Sequence, residues 1–108
     1  MSTVTSTFQK RPAYKYIRES DKLPSIDECR EIEHPIARIK LFDPCGSWTW
    51  YIAAYDGDTG QAWGLVEGFE SEIGQFDMRE LCAIRGQFGL PIERDLYWTP
   101  KPLFELLK

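Results

Sequence analysis

Residues 48–67 read WTWYIAAYDGDTGQAWGLVE, and this stretch decides the fold. Its first eight residues are aromatic, β-branched or small, which predicts a strand near the centre of a sheet. Alternation along this strand divides six side chains between two faces, Trp48, Trp50 and Ile52 against Thr49, Tyr51 and Tyr55. The Asp-Gly step at 56–57 tolerates the positive φ of a tight turn. A hairpin should therefore lead into a second strand from Gln61 to Glu67.

Alternating segments on either side extend this hairpin into a sheet. Ile36 to Phe42 alternates apolar and basic side chains, which is typical of a half-buried strand and completes a three-stranded meander. Ser71 to Phe76 predicts a short edge strand, and Ile92 to Trp98 predicts one more strand farther along the chain.

Two short helices are marked by their N-terminal caps. Ser25 and Glu28 have the spacing of a capping box, which predicts a helix after Ser25. Asp77 is the predicted cap of a second helix, which should end near Gly86. The last residues, 103–108, are expected to dock as a helical turn.

Length and composition fit one compact domain. The chain has 108 residues, of which 43% are hydrophobic and 28% are charged, enough for one core and too few for two. We expect an α+β fold, a mainly antiparallel twisted sheet of four to five strands with one or two short helices on one face. Residues 1–7 are expected to be a disordered tail, residues 8–35 a basic arm and short helix, and residues 36–108 the α+β core.

Several classes of function are disfavoured by composition. The chain has neither the apolar run of a membrane span nor the pattern of a signal peptide, so a soluble, cytoplasmic protein is expected. Its cysteines, Cys29, Cys45 and Cys82, are odd in number and widely spaced, which favours reduced thiols. Since His34 is the only histidine, we expect no metal site, no cofactor and no catalytic constellation.

Charge is distributed unevenly along the chain. Residues 1–18 carry four bases and no acid, whereas residues 19–108 carry 17 acids and nine bases. This basic arm either packs on the acidic body or contacts nucleic acid, in which case its cations hold phosphates and its tyrosines stack on bases. The residues predicted for such contacts are Lys10, Arg11, Tyr14, Lys15, Tyr16 and Arg18.

Acidic residues are concentrated in residues 56–80, which carry seven acids, one base and a local charge of −6. If these acids share one side of the fold, that side attracts a basic partner. Ordinary solvation of polar turns is the alternative. The predicted partner-binding acidic face comprises Asp56, Asp58, Glu67, Glu70, Glu72, Asp77 and Glu80.

The triplet Glu93-Arg94-Asp95 is a dense charge cluster on a predicted strand. Alternation places Glu93 and Asp95 on one face, where two carboxylates can share a proton in acid/base catalysis or hold a divalent ion. The structural alternative, which we favour, turns Arg94 inward to pair with a carboxylate such as Glu80 or Glu72.

Five segments carry a resemblance to known sequences, namely Lys40–Phe42, Trp48–Trp50, Gly64–Gly68, Glu72–Phe76 and Leu90–Tyr97. Over about residues 36–106 the chain resembles a family of small uncharacterised proteins encoded on bacterial plasmids, phages and other mobile elements. The segment LPIERDL at 90–96 is the most specific part of this similarity. The resemblance implies a setting, mobile DNA in bacteria, and no particular reaction.

Together these features favour a non-enzymatic protein-interaction module. In the setting that the resemblance implies, we expect its acidic face to bind a basic protein or a host or element-encoded complex. It would act as an inhibitor or accessory of a host defence or DNA-maintenance system. The alternatives are a nucleic-acid-binding accessory protein that uses residues 8–18 and a small acid/base hydrolase. An edge strand or an aromatic sheet face also makes a homodimer possible.

Overall fold

The computed structural model of the protein describes residues 16–107. Its strands in this range are β1 (Ile36–Ala37), β2 (Ile39–Phe42), β3 (Thr49–Asp56), β4 (Gln61–Glu67), β5 (Ser71–Asp77), β6 (Glu93–Arg94) and β7 (Lys101–Pro102). The main sheet is antiparallel with the strand order β5-β4-β3-β2-β6, and β1 pairs with β7 in a small second sheet. The expected α+β class is confirmed.

Both predicted helix caps are confirmed. Helix α1 (Ile26–Arg30) follows Ser25, whose hydroxyl accepts the Glu28 N–H while the Glu28 carboxylate accepts the Ser25 N–H. Helix α2 (Met78–Ala83) follows Asp77, whose carboxylate accepts the Arg79 N–H. These side chains satisfy backbone donors that the first helical turn leaves without partners.

Helix α2 ends earlier than Gly86, the expected stop. Ile84 is already extended, and the next residue, Arg85, forms an isolated antiparallel bridge with Pro91. Short 3₁₀ turns follow at Gln87–Gly89 and at Leu103–Leu106, and the latter confirms the expected helical turn near the C-terminus.

The main sheet is buried on both faces. The N-terminal segment and α2 cover the first face, where the core consists of Tyr16, Ile17, Ile39, Leu41, Trp50, Ile52, Ala62, Met78, Leu81 and Ile92. Helix α1 and the C-terminal turn cover the second face, where the core consists of Ile26, Cys29, Ala37, Tyr51, Ala53, Ala54, Leu65 and Leu103. The two helices therefore lie on opposite faces, and the core already includes Tyr16, well before residue 36.

A β-bulge at Ala53 decides which side chains reach each face. Ile52 and Ala54 of β3 pair with two consecutive residues of β4. Ala53, which lies between them, is therefore the extra residue of the bulge. The bulge turns both alanines to the second face and returns Tyr55 to the first face. The prediction that Tyr55 shares a face with Tyr51 is therefore wrong.

Two predicted strands are shorter than expected. The segment Ile36 to Phe42 divides at Arg38, so that its first part joins the small sheet and its second part joins the main sheet. The segment Ile92 to Trp98 keeps only β6, because the Asp95 carboxylate accepts the Tyr97 N–H and turns the chain.

An ion pair ties strand β6 to the beginning of the described chain. Arg94 donates through Nη2 to Asp21 at 2.6 Å, and through Nη1 to the other Asp21 oxygen at 2.9 Å and to the Tyr16 carbonyl at 2.8 Å. Arg94 thus points into the fold as expected, but its partner is Asp21 and not Glu80 or Glu72. The 3₁₀ turn at Glu19–Asp21 presents this carboxylate to the strand.

The Asp21–Arg94 pair predicts a pH-dependent contribution to stability. Burial opposes ionisation of Asp21, but hydrogen bonds from Arg94 and from the Arg18 N–H outweigh it and lower the pKa of Asp21. Because the pKa of Asp21 is lower in the folded state, the pair stabilises the fold at pH values above about 4, the usual aspartate pKa. This stability is lost as the pH falls through the folded-state pKa of Asp21. We expect Arg94→Met to lower the free energy of unfolding at neutral pH by about 2–4 kcal/mol.

Urea denaturation of both proteins at pH 7 and at strongly acidic pH measures this effect. The difference between wild type and Arg94→Met should shrink in acid, where Asp21 is protonated in both proteins. An equal difference at both pH values would show that Arg94 stabilises the fold by packing alone.

Candidate functional site

The structure does not bring the seven acidic residues to one surface. In the β4–β5 ribbon, Val66 pairs with Glu72 at one end, and Gln61 pairs with Asp77 at the other. At a rise of about 3.3 Å per residue these ends are roughly 17–20 Å apart. One group, Glu67, Glu70 and Glu72, surrounds the β4–β5 turn, and the other, Asp56, Asp58, Asp77 and Glu80, lies at the opposite end.

Two members of the second group have structural roles. Asp56 accepts the Ile26 N–H at the start of α1. Asp77 caps α2 and also accepts two hydrogen bonds from the Arg79 guanidinium, at 3.1 and 2.9 Å, which lower the pKa of Asp77. Asp58 and Glu80 are exposed. Part of the negative charge at this end of the ribbon is therefore engaged in contacts within the fold.

Two members of the first group leave their charge open to solvent. Glu70 and Glu72 are exposed, and neither forms an ion pair with any residue that the structure describes. Glu67 is half-buried beside Tyr51. The burial of Tyr51 is the largest cause that raises its pKa, and the neighbouring Glu67 carboxylate raises it further. Two unpaired carboxylates therefore lie at the β4–β5 turn.

Aromatic side chains adjoin these carboxylates. Phe69, in the turn itself, is 95% exposed and meets the Trp48 ring edge-on at a centroid distance of 5.7 Å. Trp48 in turn stacks on Trp50 at 6.0 Å, with the first ring still 36% exposed and the second buried. These three rings, Trp50, Trp48 and Phe69, extend from the core to solvent, and we call them the aromatic column. We call Trp48, Glu67, Phe69, Glu70 and Glu72 the hairpin-tip surface.

Gly68 makes room for this column. A Cβ atom at Gly68 would lie 2.5 Å from carbon atoms of the Trp48 ring, so any larger residue would displace the indole. Sequence reasoning did not single out Phe69, because an aromatic residue near a strand end predicts core packing. The Gly-Phe-Glu turn between two strands is the signal that would have identified it.

An open groove of about 570 Å³ lies beside the hairpin-tip surface. Phe42, Trp48 and Thr49 line it on one side, and Asp95 and Tyr97 line it on the other. Tyr97 is 95% exposed, which adds another solvent-facing ring to this end of the sheet.

The groove contains the carboxylates that the hydrolase alternative requires. Asp95 lies 3.8 Å from Lys40 Nζ and accepts the Tyr97 N–H at 2.9 Å. Glu93, also on the groove, is exposed. Asp95 is therefore engaged by a base and by the backbone, which suits a structural turn.

The predicted nucleic-acid contacts fall mostly outside the described residues. Lys10, Arg11, Tyr14 and Lys15 precede residue 16. Arg18 is exposed. Tyr16 is 2% exposed and donates its hydroxyl to the Ile92 carbonyl at 2.6 Å, so the prediction that it stacks on bases is wrong.

No disulfide joins the three cysteines, all of which lie in the described part of the chain. Cys29 is buried, and burial raises the pKa of its thiol. Cys45 lies half-buried in a turn where its N–H donates to Asp43. Within residues 16–107, no three His, Cys, Asp or Glu side chains are grouped so as to hold a metal ion. None of the helices in this range has the length and apolar character needed to cross a membrane.

Comparison with known proteins identifies a family. A family model described as "Protein of unknown function (DUF2958)" matches residues 16–106. The match begins at Tyr16, itself a core residue, about twenty residues before the similarity noted in the sequence. No curated protein and no solved structure matches the chain.

The Trp48–Trp50 stack gives the site a spectroscopic signature. We expect Gly68→Ala to displace the Trp48 ring, to weaken the exciton couplet of the stacked indoles in circular dichroism, and to lower stability by about 1–3 kcal/mol. Gly74→Ala is the matched control, since a Cβ at Gly74 has nothing within 4 Å. An unchanged couplet in Gly68→Ala would contradict the described packing of the aromatic column.

Proposed function

We propose that the chain, which belongs to the family of unknown function DUF2958, is a non-enzymatic protein-interaction module that binds a basic protein through its hairpin-tip surface. One observation carries this proposal: Phe69 is held almost fully exposed next to unpaired carboxylates. Exposed aromatic side chains are enriched where proteins bind one another.

The aromatic column supports an interface of defined shape. Phe69 rests against Trp48, and Trp48 rests against the buried Trp50, so the exposed ring is supported by stacking down to the core. A side chain that is already supported in this way loses little conformational entropy on binding. This arrangement is typical of a binding hot spot.

The charges around the column support a basic partner. Glu70 and Glu72 flank the turn without bases of their own among the described residues, and Asp43 lies on the adjoining groove. Complementary charge steers association and selects partners more than it adds affinity. An Arg or Lys of the partner would meet both a carboxylate and the face of an aromatic ring.

The setting of this function follows from the sequence resemblance. We propose that the protein acts in the bacterial cytoplasm as the product of a plasmid, phage or other mobile element. Its partner would be a host or element-encoded complex, and the module would serve as an inhibitor or accessory of a defence or DNA-maintenance system. Many such complexes carry basic surfaces for nucleic acid, which an acidic surface complements.

Affinity capture with matched variants tests the proposal. The hairpin-tip variant combines Phe69→Ala with Glu70→Gln and Glu72→Gln. From a lysate of the natural host, we expect it to capture at least about tenfold less partner than the wild type does. The control combines Asp58→Asn with Glu80→Gln, which removes the same charge from the opposite end of the ribbon. Because all five side chains are exposed, both variants should keep wild-type stability within about 0.5 kcal/mol.

Nuclease treatment of half of each sample separates this function from nucleic-acid binding. Capture that survives nuclease, persists in the control and fails in the hairpin-tip variant supports the proposal. Loss of every partner after nuclease treatment, with both variants behaving as wild type, contradicts it and assigns binding to the basic arm.

A further inference from the structure

The two edges of the main sheet are built differently. The β6 edge is only two residues long and follows Pro91, so it offers little backbone for pairing. The β5 edge is seven residues long and pairs with β4 in continuous register. It contains no proline, no lysine and no bulge, three of the features by which proteins protect an exposed edge.

The hydrogen-bond phase of β5 identifies its outward amides. Met78 N–H donates to Gly60, and Gly68 N–H donates to Glu70, which fixes the alternation of bonded pairs along the ribbon. Even-numbered residues of β5, such as Gly74, therefore bond to β4. The odd-numbered residues, Ser71, Ile73, Gln75 and Asp77, direct their backbone N–H and C=O groups to the free edge.

An apolar pocket adjoins this edge. Its volume is about 220 Å³, and it is lined by Ile26, Cys29, Arg30, Trp63, Gly74 and Gln75. Ile73 and Gln75 lie on the same face of the sheet as this pocket, because they pair with Leu65 and Trp63. Ile73 is itself 38% exposed, so both an unfilled apolar pocket and an apolar side chain lie along one strand edge.

We propose that β5 is the dimerisation edge of the protein, where a second copy of the chain pairs with it antiparallel about a two-fold axis at Gly74. In this register Ile73 of each copy is directly opposite Gln75 of the other. Ile73 of one copy is thereby placed beside the pocket of the other, and the reverse contact is identical. Such reciprocity is what an interface between two identical chains requires.

Length selects this register, and its charges are compatible with it. It pairs all seven residues of β5 and sets Glu72 opposite Phe76, and Ser71 opposite Asp77, so no like charges face each other. Moving the axis to Ile73 or to Gln75 leaves only five residues paired. Either shift also removes Ile73 from the position opposite Gln75 and leaves the pocket unfilled.

Sedimentation velocity over a wide range of protein concentrations tests this inference. The wild type should convert from monomer to dimer as its concentration rises. Gln75→Pro removes one outward N–H and leaves the β4 ladder intact, so it should weaken dimerisation at least about tenfold. Gln75→Thr keeps the N–H and should dimerise as the wild type does. Circular dichroism confirms the fold of each variant.

A second variant keeps the test decisive if Gln75→Pro fails to fold. Ile73→Asp sends a charge toward the apolar pocket of the other copy and should also abolish the dimer. A wild type that stays monomeric throughout, or a dimer that Ile73→Asp or a folded Gln75→Pro leaves intact, overturns the inference. This outcome is independent of the hairpin-tip proposal, whose variants leave these residues unchanged.

Discussion

Strand β3 buries side chains on both of its faces, and the rest of the structure follows from the need to cover them. Five consecutive residues, 50–54, are buried, which a strand with one solvated face does not show. The bulge at Ala53 permits this, because it gives small residues to the face under α1 and returns Tyr55 to the other face. With helices of only five and six residues, the chain covers the remaining area with irregular segments at the two ends of the described range.

Those covering segments are fixed by specific polar contacts. On the first face, the Asp21–Arg94 pair and the Tyr16 hydroxyl hold the N-terminal segment on the sheet. On the second face, Trp98 Nε1–H donates to the Ala37 carbonyl and holds the C-terminal segment. With both faces covered, the exposed Phe69 ring and the outward backbone groups of β5 lie at the rim of the sheet.

Sequence reasoning identified the features that depend on neighbouring residues and missed those that depend on distant ones. The capping box at Ser25 and the cap at Asp77 are local and were predicted correctly. The bulge at Ala53 depends on pairing with β4. The burial of Tyr16 depends on a contact 76 residues away, and the exposure of Phe69 depends on how Trp48 stacks. The acidic residues were recognised by charge, but their division between two ends required the strand register.

Because both faces of the sheet are covered, we expect binding to take place at its rim. Amide hydrogen exchange along β5, measured at increasing protein concentration, tests this most directly. The Ile73 and Gln75 amides should become protected as the concentration rises, while the Gly74 amide, which bonds to β4, should exchange slowly at every concentration. Fast exchange of Ile73 and Gln75 that does not change with concentration would show that the edge stays unpaired and would contradict this role of the rim.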